Sequence, residues 1–154
     1  MCKYTIIFEY FKLKICIYAK ICTQKYVYTY AYIHIYMLYI YFENITFNEI
    51  AIGLLESFNI MNIQSKVVNK IDGNNVMDLY IILGMNDFNS KIIPNNYIVY
   101  QFEQTTDKET SKWFGETYIQ YLKGALEVWD YSLVNYQNLQ KMGIDKVRYV
   151  PLQY

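Results

Sequence analysis

Three apolar segments in the second half of the chain each end abruptly at polar residues. They are residues 78–84 (DLYIILG), 97–104 (YIVYQFEQ) and 126–132 (LEVWDYS). Within the second, residues 97–102 are a nearly continuous apolar run, which is typical of a strand buried on both faces of a parallel sheet. Because ligands of open α/β sheets bind outside the carboxyl ends of the strands, the three polar tips predict a site at that edge.

A helix is predicted between the first forty residues and these strands. Thr46 and Glu49 stand three residues apart, which is the spacing of a capping box. Apolar residues then recur at three- and four-residue spacing from Phe47 to Phe58, and Asn59 is a natural end for the helix. This helix has one apolar face to bury against a core.

The remaining segments alternate in type. Residues 66–71 and 146–150 are predicted to be short strands, and residues 113–123 a helix. A further helix is capped by Ser132 and ends before Gly143, which suits the left-handed position that follows a helix. Alternating strands and helices predict an α/β fold, a Rossmann-like parallel sheet with flanking helices.

Charge and cysteine content narrow the function classes. The chain has 14 basic and 14 acidic side chains, and residues 43–154 carry nine basic against thirteen acidic. This balance lacks the basic face that phosphate backbones require, so no nucleic-acid partner is predicted. The three cysteines lie within the first 22 residues without CxxC spacing, so we predict no metal site and a reducing, cytoplasmic location.

Residues 1–42 form a Tyr- and Ile-rich segment that needs its own explanation, because it holds ten of the nineteen tyrosines. One interpretation is a membrane anchor, since lysines precede a run without charged side chains at residues 26–42. A second is a strand at the sheet edge, because tyrosine alternates with other residues over residues 26–33. A third is a non-native extension, translated from an AT-rich repeat. His34 is interpreted as a bystander.

A family resemblance rests on several segments in fixed order and spacing. They are residues 78–88, 97–104, Trp113 with Phe114, 126–132 and 147–152 (VRYVPL). Together they resemble the N-terminal half of glycosyltransferases with the two-domain GT-B fold, of the kind found in bacteria and large DNA viruses. The resemblance covers residues 43–154. It departs from the family pattern at Gln153, where a glycine is usual.

The resemblance implies a Rossmann-like domain that faces a sugar or glycan acceptor, truncated before the domain that holds the nucleotide sugar. Consistent with this, neither GxGxxG nor a Walker-type phosphate loop is present, so no cofactor is predicted for this half alone. The expected partners are a donor-binding domain or another protein chain.

Hexosyl transfer to a hydroxyl is helped by a general base, and a carboxylate at a strand tip suits that role. The three tips offer Asp87, Glu103 and Asp130. Contacts to the acceptor are assigned to their neighbours Asn86, Gln104, Trp129 and Ser132. Structural interpretations are also open: Asp87 as a turn residue, Glu103 as a hydrogen-bond partner for the loop that follows it, Gln104 as a solvated loop residue, Asp130 as an anchor near the helix cap, and Trp129 as part of the core.

The sequence therefore predicts the acceptor half of a glycosyltransferase, inactive alone. The alternative is a non-catalytic interaction module, or a degenerate gene fragment, whose exposed apolar surface binds another chain. An anchor in the N-terminal segment would change the location to the membrane and leave the function as it is.

Overall fold

Six parallel strands form one sheet in the order β2-β1-β3-β4-β5-β6. The computed structural model describes residues 37–72, 75–105 and 114–152. The strands are β1 (Leu38–Tyr41), β2 (Ser65–Val68), β3 (Leu79–Leu83), β4 (Tyr97–Gln101), β5 (Glu127–Asp130) and β6 (Val147–Tyr149). The chain passes from β1 outward to β2 and returns to β3 on the other side of β1. The topological switch point therefore lies between β1 and β3.

The central strands are buried on both faces, as the apolar runs predict. Every residue of β3 and of β4 is buried, and the two strands pair with Ile81 opposite Ile98. Branched and aromatic side chains suit such a pleated surface, which explains why these five-residue runs form strands. The predicted α/β fold with a Rossmann-like parallel sheet is confirmed.

Three helices cover the sheet: α1 (Asn48–Ile60), α2 (Glu116–Gly124) and α3 (Leu133–Lys141). On one face, Ala51 and Phe58 of α1 pack in a cluster with Ile81 of β3. On the other face, a second cluster holds side chains of α2 and α3 against the sheet: Tyr118, Leu122 and Leu139, with Val99 and Val128. The sheet thus separates two apolar layers, as in a doubly wound fold.

The start of α1 differs from the predicted capping box. A 3-10 turn at Ile45–Phe47 precedes the helix, and its cap is Asn44. The Asn44 side-chain oxygen accepts hydrogen bonds from the Thr46 amide at 3.1 Å and the Thr46 hydroxyl at 2.9 Å. Thr46 is therefore a donor in this turn, and its hydroxyl does not cap the helix.

The end of α1 also lies beyond the predicted stop. The helix continues past Asn59 to Ile60, and Asn62 adopts the left-handed conformation with φ of 56°. The Asn62 amide donates to the Asn59 carbonyl at 3.0 Å, and the Ile63 amide donates to the Phe58 carbonyl at 2.9 Å. These two bonds form a Schellman motif, in which asparagine replaces the usual glycine.

Both predicted caps of α3 are confirmed. The Ser132 hydroxyl accepts a hydrogen bond from the Asn135 amide at 3.4 Å. At the other end Gly143 has a φ of 76°, and the Ile144 amide donates to the Leu139 carbonyl at 3.1 Å. Ser132 and Gly143 lie directly beside the helix that they cap, so the sequence alone was sufficient to predict both caps.

The Tyr-rich segment contributes to the sheet. Its last part forms β1, which lies between β2 and β3 and pairs with both in parallel. The domain thus includes residues from the predicted N-terminal extension. The alternating residues 26–33, His34 and Trp113 lie outside the described residues. Within residues 37–72, 75–105 and 114–152, no helix combines the length and the apolar character needed to span a bilayer.

Candidate functional site

Polar side chains gather at the carboxyl edge of the sheet in two groups. The switch-point cluster follows β1 and β3 and consists of Glu43, Asn44, Asp87 and Asn89. The β4–β5 cluster lies at the ends of those strands and consists of Gln101, Glu103, Asp130 and Asn135. The two clusters occupy the place where open α/β sheets bind ligands.

In the switch-point cluster Glu43 ties the end of β1 to the loop after β3. Its Oε1 accepts from the Tyr41 hydroxyl at 2.7 Å and from the Asn89 amide at 2.8 Å. Its Oε2 accepts from Asn89 Nδ2 at 3.0 Å. Burial alone would raise the pKa of Glu43, but the donors from Tyr41 and Asn89 outweigh it and lower the pKa. Glu43 is therefore ionised, and its hydrogen bonds connect the end of β1 to the loop after β3.

Asp87 lies in a 3-10 turn (Met85–Asp87) that begins after Gly84. Gly84 has a φ of 67°, and a Cβ at this position would overlap the ring of Phe47. Asn44 Nδ2 donates to Asp87 Oδ2 at 3.3 Å, and Asn86 Nδ2 donates to Asp87 Oδ1 at 3.4 Å. The close approach of Phe47 to a glycine thus positions the turn that presents Asn86 and Asp87.

Asp130 is the most buried of the three candidate carboxylates, with no exposed surface. Its Oδ1 accepts from the Ser132 amide at 2.7 Å, and its Oδ2 accepts from Gln101 Nε2 at 2.9 Å. Burial raises the pKa of Asp130 to about 7, against the lowering effect of the bonds from Ser132 and Asn135. This geometry fits a group that fastens β4 and the start of α3 to β5.

The backbone of Glu103 is clamped by two buried carboxamides. Gln101 Nε2 donates to the Glu103 carbonyl at 2.8 Å, and the Glu103 amide donates to Gln101 Oε1. Asn135 Nδ2 donates to the same carbonyl at 2.9 Å. Both Gln101 and Asn135 have no exposed surface, so the clamp is part of the core.

The side chain of Glu103, in contrast, is half-buried and makes no hydrogen bond or ion pair with another described residue. Burial raises the pKa of Glu103, and the negative charge of Asp87 raises it further. Asp87 and Glu103 follow the adjacent strands β3 and β4 at the same edge of the sheet. Of the three carboxylates, Glu103 is best suited to accept a proton from a ligand.

The four predicted ligand contacts differ in accessibility. Gln104 is exposed and Asn86 is half-buried, whereas Ser132 is engaged as the cap of α3. Trp129 is 4% exposed, donates from Nε1 to Glu127 Oε2 at 3.0 Å and packs edge-on against Tyr100. This burial favours the core interpretation of Trp129 over stacking on a sugar.

An aromatic row crosses the same edge and was not predicted. It consists of Phe47, Phe102 and Tyr131, all half-buried. The ring centroids of Phe47 and Phe102 are 5.1 Å apart, and those of Phe102 and Tyr131 are 6.1 Å apart with planes inclined by 23°. Gln104 Nε2 donates to the Tyr131 hydroxyl. Burial raises the pKa of Tyr131, as do the charges of Asp130 and Glu103.

The polar side chains described at this edge are carboxylates, carboxamides and hydroxyls. All of these groups bond well to neutral hydroxyls, and the carboxylates repel phosphates. No three His, Cys, Asp or Glu side chains in the described part of the chain are arranged to hold a metal ion. Comparison with protein-family models, with curated proteins and with solved structures found no match to this chain.

Proposed function

We propose that this domain is the acceptor-binding half of a GT-B glycosyltransferase, which acts with a donor-binding domain that supplies the nucleotide sugar. The observation that carries the proposal is Glu103. It is half-buried at the carboxyl edge, its carboxylate has no partner among the described residues, and its pKa is raised. The order of the motifs around it and the parallel Rossmann-like sheet support the same assignment.

In the proposed reaction Glu103 acts as general base. An acceptor hydroxyl gives its proton to the Glu103 carboxylate while its oxygen bonds to the anomeric carbon of the donor sugar. The bond from that carbon to the nucleoside diphosphate breaks, and the electron pair leaves with the diphosphate. A base whose pKa is moved towards neutrality balances proton affinity against the fraction that is ionised.

The neighbouring carboxylates have supporting roles in this scheme. The charge of Asp87 contributes to the raised pKa of Glu103, and Asp130 holds Gln101, which clamps the Glu103 backbone. Because this acidic edge repels phosphates, the nucleotide is expected on the partner domain and a neutral hydroxyl on this one.

The test supplies a donor-binding domain in trans. The full chain is mixed with the donor-binding domain of a GT-B enzyme of the resembled type, a uridine-diphosphate hexose and a set of hexopyranosides. Transfer is expected, and Glu103→Gln is expected to lower its rate by about 10²–10⁴-fold. The matched control is Glu56→Gln, since Glu56 is exposed on α1. Equal loss in both variants would contradict a catalytic role for Glu103.

A second candidate function, a non-catalytic interaction module, is favoured by exposed apolar side chains near the same edge. Ile45 follows β1 and is 76% exposed, while Leu133 and Val134 open α3 at 56% and 52% exposed. Such groups suit contact with another protein chain. Binding of the supplied domain without donor hydrolysis or transfer would support this function over catalysis.

A further inference from the structure

The aromatic row suggests which class of acceptor the edge takes. We propose that Phe102 and Tyr131 form a stacking platform for a neutral pyranose ring, with Gln104 and Glu103 bonding to its hydroxyls. This inference rests on the proposed function and adds to it a binding site with a defined ligand class.

The platform follows from the strand register. Gln101 and Asp130 are partners in the parallel pairing of β4 with β5, so the next residues, Phe102 and Tyr131, lie side by side. Their rings are nearly parallel at 23°. Phe47 extends the row from the start of α1 with its ring 5.1 Å from that of Phe102. The aromatic row is therefore continuous across the ends of neighbouring strands.

The rings are supported by the core and still reach the surface. Phe102 packs on the ring of the buried Tyr100 with centroids 4.5 Å apart, whereas Phe102 and Tyr131 themselves are only half-buried. A ring held in place by packing loses little conformational freedom when a ligand binds. The platform is thus preorganised.

Polar groups border the aromatic row next to Glu103, the proposed base. Gln104 is exposed and donates to the Tyr131 hydroxyl, and Glu103 lies between Phe102 and Gln104 in the loop after β4. A pyranose presents an apolar C–H face and a rim of hydroxyls, which match an aromatic surface beside a carboxylate and a carboxamide. A nucleotide would bring phosphates to this acidic edge, which disfavours it.

Nuclear magnetic resonance on the full chain tests the platform directly. The protein is labelled with ¹³C in its phenylalanine and tyrosine rings and titrated with methyl β-glucopyranoside, methyl β-galactopyranoside or N-acetylglucosamine, and separately with uracil as a planar probe. We expect ring signals of Phe102 and Tyr131 to shift with at least one sugar and not with uracil. Shifts with uracil alone, or with none of the probes, would overturn the proposal.

Variants separate ring stacking from general packing. Tyr131→Ala is expected to weaken sugar binding about tenfold, as is Tyr131→Leu, which keeps apolar volume but removes the ring. Tyr131→Phe keeps the ring and should lose less affinity. The control is Tyr39→Ala, which removes one ring of the pair formed by Tyr39 and Tyr80, stacked at 4.8 Å and away from the carboxyl edge. Unchanged affinity in Tyr131→Leu would overturn the platform.

The two proposals fail in different ways. If Tyr131→Leu binds sugars and supports transfer at the full rate, the platform is wrong and the proposed function stands. If the native chain binds a sugar through Tyr131 but gives no transfer with the donor domain, the platform stands and the proposed function is wrong.

Discussion

Gln101 Nε2 donates to Asp130 Oδ2 at 2.9 Å across the carboxyl ends of two adjacent strands. Neither residue has any exposed surface. The same Gln101 side chain bonds to both the amide and the carbonyl of Glu103. A buried carboxylate in β5 therefore fixes, through one carboxamide, the loop that presents the proposed base.

The first prediction concerns the pH dependence of stability. Burial raises the pKa of Asp130 to about 7 from a usual value of 3.8, so the folded state holds this proton more tightly than the unfolded state. The contribution of Asp130 is then fully present below about pH 4 and is lost as the pH rises through about 7. Between these values the free energy of unfolding is expected to fall with pH.

The measurement is urea unfolding at several pH values across that window, for the native chain and for Asp130→Asn. The variant lacks the titrating proton and is expected to show a flatter dependence, whatever its absolute stability. The slopes are compared, and not the absolute stabilities, because Asp130→Asn also lowers stability directly. The Asn amide places a second donor against Gln101 Nε2. The same slope in both proteins would contradict the assignment.

A second prediction concerns the turn that carries Asp87. Gly84→Ala is expected to lower the free energy of unfolding by at least about 1 kcal/mol, because the left-handed backbone disfavours a side chain. Its φ is 67°, and overlap of the new Cβ with the Phe47 ring adds to the cost. The control is Gly53→Ala within α1, where nothing lies within 4 Å of the added Cβ.

Gly53→Ala should raise stability by up to about 1 kcal/mol, because alanine has the higher helix propensity. Chemical denaturation of both variants measures the two effects, and the sign of the change should differ between them. A change of the same sign in both variants would contradict the left-handed backbone and the Phe47 contact as constraints on Gly84.

The elements predicted correctly from sequence are those whose signals are local. The apolar runs of β3 and β4 and both caps of α3 are encoded within the elements themselves. β1 was harder to identify because it is four residues long and lies at the end of a Tyr-rich segment with a different periodicity. Its place between β2 and β3 is set by pairing with both strands, which no local pattern reveals.

The site residues follow the same rule: those at strand ends were predicted from sequence, and those that meet through tertiary contacts were not. Glu103 and Asp130 were candidates because they stand at strand tips, and the structure places both at the carboxyl edge. Glu43 and Asn89 were missed, since they are 46 residues apart and meet only through the sheet order. Asn135 was missed because its role depends on burial of a helix residue against the loop after β4. Such contacts are tertiary, so spacing along the chain does not indicate them.

A third prediction tests the end of α1. Asn62 has a φ of 56°, a conformation that asparagine adopts more readily than alanine. Asn62→Ala is expected to lower the free energy of unfolding by about 1 kcal/mol. Asn59→Ala is the control, because Asn59 lies within the helix and contributes its carbonyl to the cap. Thermal unfolding should show a lower midpoint for Asn62→Ala only, and equal midpoints would argue against the left-handed cap.

The last prediction separates the clamp on Glu103 from ordinary packing. Asn135 donates to the Glu103 carbonyl at 2.9 Å and accepts from the Thr105 amide at 3.1 Å and the Thr105 hydroxyl at 2.9 Å. Asn135→Ala leaves the Thr105 amide without its acceptor, while the Glu103 carbonyl keeps its bond from Gln101 and the Thr105 hydroxyl keeps its bond from Asn138. The expected loss of stability is about 1–3 kcal/mol.

Asn138→Ala is the matched control on the same helix. Its side chain makes one bond in this region, from Nδ2 to the Thr105 hydroxyl at 2.9 Å, and it is half-buried. Hydrogen exchange at the Thr105 amide should accelerate strongly in Asn135→Ala and little in Asn138→Ala, because only Asn135 accepts from that amide. Slow exchange in both variants would mean that Gln101 alone holds the loop, and that Asn135 has no part in positioning the proposed base.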